Sequence, residues 1–162
     1  LVRRRSHFPW NGGKGAQPRG TGGSHRRADF VRDLARLLYK PSPMAIQTYT
    51  GGCHCGRVRY EAKLDLDGRL VTCNCSICSK TGSVLAFTPE ENFKLLQGED
   101  ALTDYQFNKK VIHHMFCSTC GLRSFARGAT PDGKAMYAVN LRCVDDVDVN
   151  ALKTTFHDGK SR

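Results

Sequence analysis

Nowhere in the 162 residues does an apolar run approach the roughly 20 residues that a membrane-crossing helix needs. The arginine-rich start also lacks an apolar stretch followed by a small-residue cleavage site, so it does not read as a secretory signal. The expected compartment is therefore the reducing cytosol, where thiols stay free. Internal repeats are absent apart from recurring cysteine clusters. Acidic residues are few, 15 against 25 Lys and Arg, which gives a formal net charge of +10. That imbalance suggests nucleic-acid binding until its location is considered. Before Met44 there are ten Lys/Arg and two Asp, a net of +8; from Met44 onward there are 15 against 13, a net of +2. The basic character belongs to a tail. Nucleic acid is expected as a partner only through residues 1–43, and a membrane not at all.

What is present divides into two parts. In residues 1–43, Arg3-Arg4-Arg5 and the Gly/Pro/Arg-rich run from Pro9 to Arg27 cannot bury apolar surface and are expected to be disordered. A short helical pattern near 29–40 follows, with Phe30, Leu34, Leu37 and Leu38 on one face, and Pro41 and Pro43 end it. This segment reads either as a basic arm or as an extension upstream of a natural start at Met44. Residues 44–162 form the expected domain.

That domain reads as mainly β. Ile46–Thr50, Arg57–Lys63, Leu70–Thr72, Val84–Thr88, Phe93–Leu96, Leu102–Phe107, Val111–Phe116 and Met136–Leu141 are rich in β-branched or aromatic residues, with Gly, Asp, Asn or Pro between them. Val58 and Tyr60 alternate with Arg57, Arg59 and Glu61, as in a strand with one wet face. Helix is expected only at Ser76–Lys80 and near Val147–Lys153. Short antiparallel strands in a domain this small benefit from metal staples.

Eight cysteines could form a disulfide framework, but cysteines two or three apart bridge each other poorly and chelate metals well. They fall into Cys53-His54-Cys55, Cys73-Asn74-Cys75-Ser76-Ile77-Cys78, Cys117-Ser118-Thr119-Cys120 and a solitary Cys143. Zinc prefers tetrahedral sulfur and nitrogen ligands, and a C-x-x-C turn delivers two thiolates to one ion. Seven clustered cysteines divide into four plus three. Cys53, Cys55, Cys117 and Cys120 would close a structural site tying the first strands to a later hairpin. Cys73, Cys75 and Cys78 would hold a second ion with one open position, the arrangement of catalytic zinc. A histidine among His54, His113, His114 and His157 could instead close that site. Cys143, at a strand end, reads as a small buried apolar residue or as a reactive thiol.

The segments Gly51–Glu61, Cys73–Cys78, Phe116–Gly121 and Val139–Cys143 resemble the family of glutathione-dependent formaldehyde-activating enzymes and centromere protein V, over about Thr48 to Lys160. The resemblance implies an Mss4-like β-tent fold, a structural zinc on Cys53, Cys55, Cys117 and Cys120, and a second zinc on Cys73, Cys75 and Cys78. It also implies carbon–sulfur lyase chemistry, the condensation of formaldehyde with glutathione to S-(hydroxymethyl)glutathione. The expected cofactor is zinc, two per chain, with glutathione as co-substrate and a small aldehyde as partner. Three thiolates leave a divalent ion with a formal charge of −1, which favours delivery of a bound thiol over polarisation of a carbonyl. Lys80 and Arg142 read either as solvated cations or as contacts for a glutathione carboxylate. Two other readings differ in what they require. A non-catalytic zinc scaffold needs a histidine in the second site, and a thiol redox enzyme needs Cys143 as nucleophile.

Overall fold

The computed structural model describes residues 46–161; the helix expected near 29–40 and the boundary at Met44 lie outside the described residues. Ten strands build two sheets. The first holds β1 (Ile46–Gly52), β2 (Arg59–Asp65) and β5 (Phe93–Gln97) in the order β1-β2-β5. The second holds β3 (Leu70–Cys73), β4 (Val84–Pro89), β6 (Leu102–Tyr105), β7 (His113–Cys117), β8 (Phe125–Ala129), β9 (Ala135–Asn140) and β10 (Thr154–His157), in the order β10-β3-β4-β9-β8-β7-β6. One helical turn, α1 (Cys78–Thr81), lies between β3 and β4. Among the described residues no helix is long and apolar enough to cross a membrane.

Period-two patterning explains how the sheets meet. In β2, Tyr60, Ala62 and Leu64 are buried, whereas Arg59, Glu61 and Lys63 lie half-buried or exposed. In β4 the buried set is Val84, Ala86 and Thr88, and the Thr88 hydroxyl donates to the Lys63 carbonyl at 2.8 Å, joining one sheet to the other. An aromatic layer fills the space between. Tyr60 of β2 stacks on Phe93 of β5 with centroids 5.3 Å apart, and Phe93 stacks on Tyr137 of β9 at 4.0 Å. Phe125 of β8 meets the edge of Tyr60 at 5.8 Å. Such contacts add to the area these rings remove from water.

Several sequence expectations are refined. The β3–β10 pair is parallel, so the domain is not wholly antiparallel. β8 and β10 were not expected as strands: Gly128 interrupts the pattern of the first, and Phe156 of the second is an exposed edge residue. β6 stops at Tyr105 and β7 starts at His113, because Asn108 and Lys110 take left-handed backbone conformations that turn the chain. Arg57 and Val58 belong to a tight turn before β2, in which the Cys53 amide donates to the Val58 carbonyl at 3.0 Å. Near Val147–Lys153 the chain makes a single 3₁₀ turn, Val149–Ala151, capped by the Asp148 carboxylate accepting from the Asn150 amide.

A clasp at the end of β1 fixes the first sheet against the segment after β9. Tyr60, fully buried, donates its hydroxyl hydrogen to the Cys143 carbonyl at 3.3 Å. Asp145 receives the Thr50 hydroxyl at 2.8 Å and both terminal nitrogens of Arg59. Gly51 lies under the Tyr60 hydroxyl, and a Cβ there would come within 2.5 Å of both that oxygen and the Cys143 carbonyl oxygen. Only a residue without a side chain lets these backbones approach. Gly51→Ala is therefore expected to destabilise the fold by about 2 kcal/mol, as forced overpacking does, read as a fall in the urea midpoint; an unchanged midpoint would refute the clasp.

Candidate metal centre

Two groups of sulfurs form where strands end. Cys53 and Cys55 sit in the β1–β2 connection, while Cys117 ends β7 and Cys120 lies in the β7–β8 connection, so the first group draws one hairpin from each sheet. Their four Sγ atoms lie within 4.8 Å of one another. Cys53 Sγ is 3.5 Å from Cys55 Sγ, which is 3.7 Å from Cys117 Sγ. A regular tetrahedron with Zn–S arms near 2.3 Å has edges of about 3.8 Å, so the spacing fits a zinc ion. The backbone is arranged for thiolates as well. Amides of Cys120 and Thr119 point at Cys117 and pull its thiol down to about 6. The Leu122 and Cys55 amides hold Cys120 below its ordinary value, and the Val58 amide donates to Cys53 Sγ at 3.3 Å.

The second group, Cys73, Cys75 and Cys78, likewise has its sulfurs within 4.8 Å of one another. It spans the end of β3 and the start of α1. Burial pushes the Cys78 thiol up to about 12, and the neighbouring Cys75 adds to this. At Cys75 burial acts the same way but is outweighed by the amides of Cys78 and Ile77, so the thiol lies below its ordinary value. The Cys75 amide donates to Cys73 Sγ at 3.3 Å. Softness of the donors, their closeness and the N–H groups aimed at them suit a thiophilic divalent metal in both groups. Among the described residues no histidine, aspartate or glutamate joins either group.

The remaining sequence candidates lie apart from the sulfurs or beside them. His54 is exposed, and His113 pairs through Nδ1 with Asp104 at 2.6 Å. His114 is buried, its Nδ1 accepting from Arg123 Nη1 at 2.8 Å, which makes it the neutral Nε2–H tautomer. His157 stands opposite Cys73 in the β10–β3 register but is not part of the sulfur group. Cys143 is buried, and burial raises its thiol to about 11, so it is protonated and closed off at neutral pH. Asn140 Nδ2 donates to its sulfur at 3.4 Å. Lys80 and Arg142 are exposed, and Arg142 Nε donates to the Gly82 carbonyl at 2.8 Å, just beyond α1.

Sequence reasoning missed two features. The first is the C-terminal strap over the second group. Asn74 Nδ2 donates to Asp158 at 2.7 Å, the Lys160 amide returns to Asn74 Oδ1 at 2.9 Å, and the Gly159 amide points at Cys73. A Cβ on Gly159 would lie 2.7 Å from Cys73 Sγ, so the strap closes only on glycine. The glycine after His157-Asp158 was the available signal. The second feature is Arg123, which is 8% exposed and donates to His114, to Ser83 Oγ at 2.8 Å and to Thr81 Oγ1 at 3.3 Å. An arginine three residues past Cys120 reads as a surface cation, and nothing in its sequence setting marks it as buried.

Gly159→Ala is expected to lose metal from the Cys73/Cys75/Cys78 group while the four-sulfur group keeps its ion, measured as metal per chain by native mass spectrometry; two retained ions would show that the strap does not constrain Cys73. A second expectation concerns acid. Burial, with the Arg123 charge alongside, pushes His114 down to about 4. Between its unfolded value near ~6.5 and that folded value, only the unfolded chain binds the proton, so stability falls as pH drops through this window. From pH 7.5 to 5.5 the wild type should lose about 1 kcal/mol more than His114→Gln, whose amide oxygen can still accept from Arg123. Parallel pH profiles of the two urea midpoints would overturn the assignment.

Comparison with known proteins agrees with this geometry. A crystal structure of a protein from Rhodobacter sphaeroides is similar in fold, with a TM-score of 0.61 and 29% sequence identity, covering 67% of this chain and 99% of that one. Residues 48–158, from β1 to just past β10, match the family described as glutathione-dependent formaldehyde-activating enzyme. With that match spanning both cysteine groups and more than half of the chain, the protein belongs to the glutathione-dependent formaldehyde-activating enzyme family.

Proposed function

We propose that this protein is a zinc-dependent carbon–sulfur lyase that joins glutathione to formaldehyde or a related small aldehyde and splits the adduct. In this reading Cys53, Cys55, Cys117 and Cys120 hold a structural zinc, and Cys73, Cys75 and Cys78 hold a second. The observation that carries it is the unequal partition of the sulfurs, four in one group and three in the other. A four-coordinate ion is complete in the first and keeps one position for an exchangeable ligand in the second. Family membership supports glutathione and an aldehyde as the substrates.

Zinc in the second group would lower the pKa of a thiol arriving at that position, offering it as thiolate near neutral pH. The addition balances without an oxidant. The glutathione sulfur forms a bond to the aldehyde carbon, the carbonyl π pair moves to oxygen, and the proton lost by the thiol ends on that oxygen. The reverse breaks the carbon–sulfur bond. The chain's own part is to keep three sulfurs as ligands rather than nucleophiles. The Cys75 and Gly159 amides stabilise Cys73, and the Cys78 and Ile77 amides stabilise Cys75. Lys80 and Arg142, at the end of α1, are the cations we assign to glutathione carboxylates; the bond from Arg142 to the Gly82 carbonyl fixes its guanidinium there. We further assign the zinc-binding unit to residues 44–162, with residues 1–43 as a basic extension, and the protein to the reducing cytoplasm, since all eight cysteines are free of disulfides.

The test is zinc per chain by native mass spectrometry on the full chain purified without chelator, before and after glutathione. Two zincs are expected, with glutathione retained by the wild type and not by Cys78→Ser. The wild type should also accelerate adduct formation from labelled formaldehyde, and Cys78→Ser should lose at least tenfold of that rate. Two zincs indifferent to glutathione would favour a non-catalytic scaffold, and a single zinc would sink the open-site reading.

A further inference from the structure

Arg123 presents an unsolved charge problem. Its guanidinium is buried and makes bonds to His114 Nδ1, Ser83 Oγ and Thr81 Oγ1, three neutral acceptors. Among the described residues it has no carboxylate within ion-pair distance. Asp104, whose charge reaches His114, is occupied with the His113 ring. A charge buried without an opposite charge is strongly destabilising, and a fold keeps one only where something balances it. His114 does not help, because burial keeps it neutral.

The position of Arg123 says what the balance is. Thr81 closes α1, and its hydroxyl also donates to the Ile77 carbonyl at 3.1 Å, so Arg123 is fastened to the helical turn that carries Cys78. Ser83, the other anchor, follows that turn directly and bonds Thr81 at 2.9 Å. A second layer supports the arginine from behind. Asn140 Nδ2 donates to the Arg123 carbonyl at 3.2 Å, and Phe107 stacks on His114 with centroids 5.2 Å apart, shielding the pair from water. Among the described residues, the groups bonded to Arg123 and stacked on His114 are dipoles or an apolar ring. A divalent metal on three thiolates carries a formal charge of −1, whereas three protonated thiols carry none.

We propose that Arg123 is the buried counter-charge of the Cys73/Cys75/Cys78 metal centre, a positioning residue that favours the loaded, anionic state of that centre. This rests on the reading of those cysteines as ligands. The four-sulfur centre does not share the Thr81–Ser83 anchor, so the effect is confined to one of the two ions. The charge also biases the exchangeable position. An incoming thiolate would raise the centre to a formal −2, and a fixed cation alongside makes that addition easier while an uncharged ligand gains nothing from it.

The experiment titrates the full chain, loaded with zinc, against a competing chelator and counts ions per chain by native mass spectrometry. In the wild type the second ion should leave before the first. In Arg123→Gln and Arg123→Met the second centre should lose roughly 10- to 100-fold in affinity, the range usual when an outer partner of a metal ligand is removed, with the four-sulfur ion retained as an internal report of intact folding. Arg123→Lys, which keeps the charge but not the fork of bonds, should hold the second ion more tightly than either neutral variant. Unchanged second-ion affinity in a folded neutral variant overturns the proposal. If neither neutral variant keeps the four-sulfur ion, the lysine variant decides: retention of both ions supports the charge, and loss of the second ion while the four-sulfur ion stays overturns it. A wild type with only one zinc fails differently, since it removes the reading of the second centre itself.

Discussion

Four sulfurs must meet from two sheets, and the geometry of the domain follows from that requirement. The β1–β2 turn and the β7–β8 turn belong to different sheets, yet Cys53, Cys55, Cys117 and Cys120 converge within 4.8 Å. That closeness holds one hairpin of each sheet against the other, beside the side chains that pack between them. Tyr60, Phe93, Phe125 and Tyr137 fill the space between the sheets, and the Gly51–Tyr60–Cys143 clasp holds the first sheet against the segment after β9. A core of this size is modest for a domain of its length, and convergent thiols compensate in the way staples do in small folds.

The second group of sulfurs sits differently. It is local, within six residues of sequence, so the chain need not fold to bring the cysteines near one another. What folding adds is the surroundings: amides aimed at Cys73 and Cys75, a glycine strap against Cys73, and an arginine bonded to Thr81 and Ser83 at the far end of the helical turn. One centre is thus specified by topology and the other by its neighbours. This division matches the roles assigned to them, since a structural ion has to join distant segments and a working one needs a tuned environment.

Much of this was legible in the sequence. The cysteine spacing identified the seven sulfurs that gather, because ligand spacing is a short-range property. The alternation of Val58 and Tyr60 with Arg57, Arg59 and Glu61 identified buried and wet sides around the start of β2, although the strand itself begins only at Arg59. The β10 strand was not legible, since Thr154–His157 pairs through its backbone with β3 and buries little. β8 was hidden by Gly128, whose lack of a side chain weakens the pattern without preventing the ladder. Arg123 and Gly159 escaped for a shared reason. Each matters because of a contact with a residue far away in sequence, Ser83 for the first and Cys73 for the second, and no local rule reports such contacts.

The parallel pairing of β10 with β3 has a consequence for biosynthesis. Parallel neighbours require a long connection, and here almost the whole domain lies between them: the strap that contacts Asn74 is 86 residues downstream. As the chain leaves the ribosome, Cys117 and Cys120 emerge well before Gly159. The four-sulfur group can therefore gather on a nascent chain, while the three-sulfur group remains without its strap until Gly159 has emerged. The order of the chain thus lets the group that joins the two sheets assemble before the strap over the other group arrives.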